Sequence, residues 1–356
     1  MAKTFVPVYA QGDPGSGIGG YDLSSPADRA FAFDYDSSGD LDHLVLYRPG
    51  AGAIYILKIG SEGSFTPVYA QGAPGSGIGG YDLASPADQA FAFDYNHNGK
   101  LDHLVLYRPG AGAIYILADK GGTFTPVYAQ GDPGSGIGNY DLTSTADRVF
   151  AFDYDSSGML DHLVLYRPGT GAIYILKNNN DGTFSPVYAQ GDPGSGIGGY
   201  DLASPADQAF AFDYNHSGKL DHLVLYRPGA GAIYILANKG GTFTPVYAQG
   251  DPGNGIGGYD LKSTADRAFA FDYDSSGKLD HLVLYRPGAG AIYILQNGSD
   301  GTFTAVYADN DGIGGFDLAS PADQGFAFDY NHTGKLDHLV FYRPGTGSIY
   351  ILAEKS

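Results

Sequence analysis

Apolar and aromatic residues recur along this chain in short bursts, never at the three-to-four spacing of a helix. The stretch from Ala30 to Asp34 alternates small and aromatic side chains, A-F-A-F-D, and His43 to Arg48 is a short apolar run. Ala53 to Leu57 and Phe65 to Ala70 follow. Each burst is rich in Val, Ile, Tyr and Phe and is bounded by Gly, Pro, Asp or Asn, which predicts four short β-strands joined by turns. The set then repeats. Asp34, Asp94, Asp153, Asp213, Asp272 and Asp329 open the same segment six times, at intervals of 60, 59, 60, 59 and 57 residues. A unit of this size with four strands cannot bury both of its faces alone. The pattern predicts an all-β fold, a six-bladed β-propeller with four strands per blade, as one domain of six tandem repeats over residues 1–356. A solenoid is the alternative, and neither end of the chain has the atypical repeat that would cap one.

The two ends of the pattern fit each other. Phe5-Val6-Pro7-Val8-Tyr9 copies the fourth strand of a unit, whereas the last unit stops after its third strand, Ile349-Tyr350-Ile351-Leu352. The N-terminal strand is therefore expected to complete the last blade and remove an exposed sheet edge. A second period lies over the first. Units one, three and five read D-Y-D-S-S-G behind Arg29, Arg148 and Arg267, and units two, four and six read D-Y-N-H-x-G behind Gln89, Gln208 and Gln324. The ring is a threefold array of blade pairs.

Composition narrows the function. The formal net charge is −19, with 39 acidic against 20 basic residues, which argues against nucleic acid as a partner and points the carboxylates toward cations. Cysteine is absent, which excludes disulfides and thiolate metal sites. No apolar run approaches a membrane helix, so membrane insertion is not expected. Met-Ala-Lys leads straight into the repeat, so no signal peptide is expected, which would leave the chain cytoplasmic or non-classically secreted.

The turn between the first two strands carries the metal chemistry. Asp34-Tyr35-Asp36-Ser37-Ser38-Gly39-Asp40-Leu41-Asp42 has D-x-D-x-S-G-x-x-D spacing, with oxygen donors at positions one, three, five and nine. A backbone carbonyl at position seven completes the set, and glycine at six permits the sharp turn needed to wrap a hard cation such as Ca²⁺. The predicted ligands are Asp34, Asp36, Ser38, Asp40 and Asp42 in the first unit, and Asp94, Asn96, Asn98, Lys100 and Asp102 in the second. Asp153, Asp155, Ser157, Met159 and Asp161 follow, then Asp213, Asn215, Ser217, Lys219 and Asp221. Asp272, Asp274, Ser276, Lys278 and Asp280, and Asp329, Asn331, Thr333, Lys335 and Asp337, complete the six. Even loops trade one carboxylate for an amide and should bind more weakly. The alternative is an Asx-turn hairpin that binds nothing. All nine histidines fall in repeat positions, six in L-D-H and three in D-Y-N-H. The L-D-H set is expected to brace the calcium carboxylate or end a strand.

A ligand is expected on the opposite face. There the eighteen-residue connection from Gln71 to Asp88, with its G-S-G-I-G-G-Y-D-L, meets the Tyr107-Arg108-Pro109-Gly110 turn. Long loops without structure of their own are usually functional or disordered, and six near-identical copies argue against disorder. Tyr81 offers an apolar platform, Asp82 an acceptor and Arg108 a fork of donors, a combination that suits a pyranose. The equivalent residues are Tyr21, Asp22 and Arg48; Tyr140, Asp141 and Arg167; Tyr200, Asp201 and Arg227; Tyr259, Asp260 and Arg286; and Asp317 and Arg343 beside Phe316. Two alternatives remain, a core tyrosine packed between blades and an inter-blade arginine–aspartate pair. A third places the sugar beside calcium, against His97, His216 and His332. Ala308-Asp309-Asn310-Asp311-Gly312 is three residues shorter than its counterparts, so a site there would be altered. No Ser-His-Asp set or carboxylate pair stands apart from the repeats, and an enzyme is not expected. A protein-binding scaffold is the alternative to sugar binding.

The unit A-F-A-F-D-Y-D-S-S-G-x-L-D-H-L-V-L-Y-R-P-G-x-G-A-I-Y-I-L resembles two groups. Its loop is similar to the FG-GAP repeats of integrin α-chains. Six tandem copies with this R-P-G turn resemble the Pleurotus (oyster-mushroom) lectins over essentially the whole chain. That resemblance implies a calcium-dependent haemagglutinin for galactose and N-acetylgalactosamine. Its partners would be glycans on glycoproteins or cell surfaces, met multivalently, with homo-oligomerisation left open.

Overall fold

The computed structural model describes residues 4–60 and 62–355; residues 1–3, on which the leader expectation rests, lie outside it. The chain folds into six four-stranded antiparallel sheets and, among the described residues, no helix. In the first blade β2 (Arg29–Phe33), β3 (His43–Arg48), β4 (Ala53–Ile59) and β5 (Phe65–Gln71) pair in sequence order. The strand β1 (Thr4–Gln11) pairs antiparallel with Ser348–Lys355 and completes the last blade, as the sequence predicts.

Burial explains the order. The second strand reads H-L-V-L-Y-R and is buried on both faces but for its last residue, because a blade lies against each side of it. The fourth strand is the exposed edge and carries Pro67 where the register with β4 shifts between Ile56 and Leu57. Proline is tolerated there because an edge position at a bulge needs no ladder N–H.

Six apolar cores fill the wedges between neighbouring blades. In the first wedge Phe33, Val45, Ile54 and Ile56 meet Leu104, Leu106 and Leu117 of the next blade. The connecting loop drives Ile78, Tyr81 and Leu83 into the same core. The wedge between the last blade and the first has the same composition, with Ile18, Tyr21 and Leu23 packed among Leu44, Leu57, Val340 and Ile351. Ring closure therefore uses an ordinary wedge.

Two backbone features fix that loop. Gly77 has φ +74°, and a Cβ there would lie 1.8 Å from the Tyr81 carbonyl oxygen, so only glycine fits. Leu83 has φ 50° while fully buried, and Leu23, Leu142, Leu202, Leu261 and Leu318 repeat this. The Leu83 carbonyl accepts the N–H groups of Gly50 and Gly52 at 2.9 and 3.2 Å, so a strained leucine holds the R-P-G turn of the preceding blade.

Candidate functional site

In the first three blades a small cleft opens where the G-I-G-G-Y-D loop meets the R-P-G turn, and the other three repeat most of the residues that line it. In the second blade it is about 60 Å³ in volume, lined by Tyr81, Asp82, Arg108, Tyr115 and Asp132 among others. The first and third blades hold counterparts of about 150 and 80 Å³. Arg108 is the centre of this arrangement. Its Nε and Nη2 donate to the buried Asp88 at 2.7 and 2.8 Å, Nη2 also donates to Asp82 Oδ1 at 2.5 Å, and Nη1 donates to Asp132 at 2.6 Å. The inter-blade ion pair of the sequence alternatives is thus replaced by a clamp within one blade, and the predicted Tyr81, Asp82 and Arg108 do converge.

Tyr81 does not serve as the exposed platform. It is 4% exposed, its hydroxyl donates to Asp88 Oδ1 at 2.7 Å, and Arg108 lies 5.5 Å above its ring. Tyr21, Tyr140, Tyr200 and Tyr259 are buried in the same way, because their loop turns them into the wedge core. The more accessible ring is Tyr115 of the third strand, edge-on to Tyr81 at 5.4 Å, with Tyr55 and Tyr174 in the neighbouring clefts. In A-I-Y-I-L that tyrosine reads as a core residue, and it is the one position of the five that is only half-buried.

Asp82 is the residue the cleft presents outward, with 61% of its side chain exposed. Its Oδ1 accepts both the Ala84 N–H and Arg108, while Oδ2 has no hydrogen-bond partner among the described residues. Those bonds, the backbone N–H first, hold its carboxyl below the usual carboxylate range. Asp22, Asp141, Asp201, Asp260 and Asp317 repeat the arrangement with Arg48, Arg167, Arg227, Arg286 and Arg343.

The clefts are not identical. Arg167 and Arg227 also have a third carboxylate, Asp192 or Asp251, and Arg343 has Asp13. Ala73 stands at that position beside Arg48. The shortened loop at Ala308–Gly312 borders the cleft of Arg286, which pairs with Asp260 and Asp266 alone among the described residues. The alteration expected there falls on that cleft.

The opposite face carries the acidic hairpins. Asp34 is fully buried and turns inward, accepting the N–H groups of Ser38 and Gly39 at 2.9 and 2.8 Å. Asp94, Asp153, Asp213, Asp272 and Asp329 do the same. The Asx-turn geometry is therefore present, but a carboxylate has about four acceptor sites and these bonds leave room for a cation. In the odd blades Asp36, Asp42 and His43, and their counterparts Asp155, Asp161, His162 and Asp274, Asp280, His281, bring ligand atoms within 4.8 Å of one another. The carboxylates of this set are the groups that could hold an oxygen-seeking divalent ion, which in the first blade would have to displace Lys58 Nζ from Asp36 Oδ2, now at 3.3 Å. The even blades put Asn96, Asn215 and Asn331 at the third position and form no such group among the described residues.

The histidines have structural partners here. His103 and His162 hydrogen-bond the preceding aspartates at 2.6 Å, whereas His43 Nδ1 lies 2.6 Å from Asp42 Oδ1 outside hydrogen-bond geometry. His97, His216 and His332 reach across to the next blade, to Asp161, Asp280 and Asp42 at 2.6, 2.7 and 2.5 Å. Ser37, Ser156 and Ser275 make the matching bond in alternate wedges, to Asp102, Asp221 and Asp337. Burial pushes the Asp42 carboxyl up, but its two imidazoles outweigh this and hold it below the ordinary range.

No family model matches the chain, and no curated protein matches it. Among solved structures it is similar to an Agrocybe aegerita lectin described as recognising non-reducing terminal N-acetylglucosamine. That likeness has 21% identity, covers 94% of this chain and 81% of the lectin, and has a TM-score of 0.56. An auxiliary nutrient binding protein from Bacteroides thetaiotaomicron aligns at 13% identity over 96% of this chain and 70% of its own, with a TM-score of 0.51. Both likenesses are of fold. The expectation that the chain is no enzyme requires correction. Other solved propellers it matches include putative 6-phosphogluconolactonases of Bacteroides uniformis and Bacteroides fragilis, at 11% and 12% identity and TM-scores of 0.46 and 0.42. A fold of this kind does not by itself fix or exclude a chemistry.

Proposed function

We propose that the protein is a multivalent lectin whose clefts each hold one terminal sugar. The observation that carries this reading is the sixfold presentation of one outward aspartate oxygen beside a clamped arginine. In the first blade Asp22 Oδ2 would accept a pair of sugar hydroxyls, Arg48 Nη1, with no third aspartate, would donate to a third oxygen, and the Tyr55 ring would cover an apolar C–H face. The second blade would bind more weakly through Asp82 and Tyr115. The clefts are small and open, so each site is weak and binding to a cell surface gains from several sites acting together. Calcium belongs to this proposal at the hairpins of the opposite face, where Asp36 and Asp42 would hold it in the first blade. It would stiffen the odd hairpins and the wedges they brace, so that chelator would weaken sugar binding by loosening the blades, while the sugar itself would meet only protein side chains.

The sugar class follows from the resemblance to the Pleurotus lectins, which implies galactose and N-acetylgalactosamine. The Agrocybe lectin's N-acetylglucosamine is the competing candidate. Red-cell agglutination, with and without a calcium chelator, is measured against galactose, N-acetylgalactosamine, N-acetylglucosamine and fucose. Inhibition by galactosides and by chelator is the expected result. Inhibition by N-acetylglucosamine alone would overturn the galactoside assignment. A folded protein that neither agglutinates cells nor binds any of the four would overturn the lectin reading and favour a protein-binding scaffold.

A further inference from the structure

The axis of the ring holds charge that nothing above uses. The first strands line it, and their leading residues Arg29, Gln89, Arg148, Gln208, Arg267 and Gln324 face one cavity of about 560 Å³. The chain has nine arginines. Six are clamped by two or three aspartates in the peripheral clefts, as described. The other three, Arg29, Arg148 and Arg267, have no carboxylate at ion-pair distance among the described residues, and all three line this cavity. Arg29 Nε is buried without a hydrogen-bond partner. Arg148 Nη1 donates only to the carbonyls of Ala146 and Asp147.

The surroundings do not neutralise these cations. Tyr226 and Tyr285 also line the cavity, and their hydroxyl oxygens accept the N–H groups of Ala268 and Gly325 at 3.1 and 3.0 Å. Burial pushes the Tyr285 phenol up to about 12, so it stays protonated and adds a donor instead of a charge. Asp266 reaches the wall, but its oxygens are taken by Arg286, Tyr259 and the Ser263 N–H. Three guanidiniums without a carboxylate among the described residues share one polar cavity in a chain of formal charge −19, an arrangement that favours an anion between them. Guanidinium forks match carboxylate, sulfate and phosphate oxygens, and the glutamine amides between them add donors.

We infer that the axial cavity is an anion site, built for a compact polyanion that presents two or three oxyanion groups with threefold spacing. The inference is independent of the sugar clefts and of the hairpins. The test uses benzene-1,3,5-tricarboxylate and inorganic sulfate as probes, with chloride as a monovalent control and calcium in excess throughout. Isothermal titration and thermal melting are both read.

The substitutions Arg29→Gln, Arg148→Gln and Arg267→Gln copy the residue that even blades already carry at this position, so the blades should fold. The tricarboxylate is expected to bind the intact protein with one-to-one stoichiometry, and each single substitution should weaken it about tenfold. The triple variant should lose binding and, without anion, melt higher than the parent because the like-charge repulsion is gone. Gln89→Arg should strengthen binding. Preference for the tricarboxylate over sulfate would assign a polycarboxylate, and the reverse a sulfated or phosphorylated ligand. No binding to the intact protein, or binding unchanged in the triple variant, would overturn the inference.

Discussion

Ala73 offers a direct test of what the clefts do. In the second, third and fourth blades the arginine Nη1 donates to a third aspartate, Asp132, Asp192 or Asp251, at 2.6, 2.5 and 2.6 Å. Alanine leaves Nη1 of Arg48 without a carboxylate, and that cleft is about 150 Å³ against about 60 and 80 Å³ for those of the second and third blades. Arg48 keeps 16% of its side chain exposed, against 12% for Arg108. The substitution Ala73→Asp should therefore convert an open cleft into a clamped one. The new pair is partly exposed and worth at most about 1 kcal/mol to the fold, so stability should scarcely move. Binding should move more. An arginine donor withdrawn from a sugar oxygen forfeits a charge-assisted hydrogen bond of about 1.5 kcal/mol or more, at least tenfold in affinity at that site. Asp132→Ala is the reciprocal change and should open the second cleft. Isothermal titration with a simple methyl glycoside should show Ala73→Asp losing one of the stronger sites and Asp132→Ala gaining one. If neither variant alters affinity or stoichiometry, Arg Nη1 does not touch sugar and the cleft assignment fails.

Two further outcomes bear on separate parts of the structure. Asp36→Asn makes an odd hairpin resemble an even one without disturbing the Asp34 turn, and should weaken one calcium site, read by equilibrium dialysis at graded calcium. An ion count and affinity unchanged in the triple variant Asp36→Asn, Asp155→Asn, Asp274→Asn would remove these carboxylates from the ligand set. Tyr81→Phe should cost only about 1 kcal/mol, since Phe316 fills that position in the sixth unit. Asp88→Ala should cost about 3 kcal/mol or more, because Arg108, the Tyr81 hydroxyl and the Ser85 N–H all lose a buried acceptor. Urea unfolding of the two variants checks this, and equal costs would contradict it.

Much of this was legible in the sequence because a repeat turns weak local signals into strong ones. The strands fall within a residue or two of where the bursts place them; β3 spans His43–Arg48 as read, and β4 runs two residues further, to Ile59. The N-terminal strand could be assigned to the last blade because one copy of the fourth strand lacked the other three. The roles of Tyr81 and Tyr115 could not be read. Tyr81 lies in a glycine-rich loop with no period to assign it a face, and Tyr115 sits in a run that looks wholly buried. The pairs between blades were hidden for another reason. His97 and Asp161 are 64 residues apart, and only the closed ring makes them neighbours.

The alternation of the blades then has a physical logic. Odd hairpins carry one more carboxylate, Asp36 beside Asp42, and the neighbouring even hairpin supplies the imidazole of His332 to Asp42. Even hairpins carry an amide instead, and the preceding odd blade supplies only the neutral hydroxyl of Ser37 to Asp102. Each wedge thus sets an imidazole against the larger acidic load and a hydroxyl against the smaller. The same alternation sets arginine against glutamine at the axis, whereas the aspartate–arginine pair of the clefts does not alternate at all. Single blades are therefore the unit of the clefts, and blade pairs are the unit of the hairpin face and the axis. A ligand bound at a cleft meets six similar sites, while a ligand on the axis meets one site of threefold symmetry. The two proposals therefore call for different chemistry, a neutral polyol at the rim and a compact anion at the centre, and each can fail without the other.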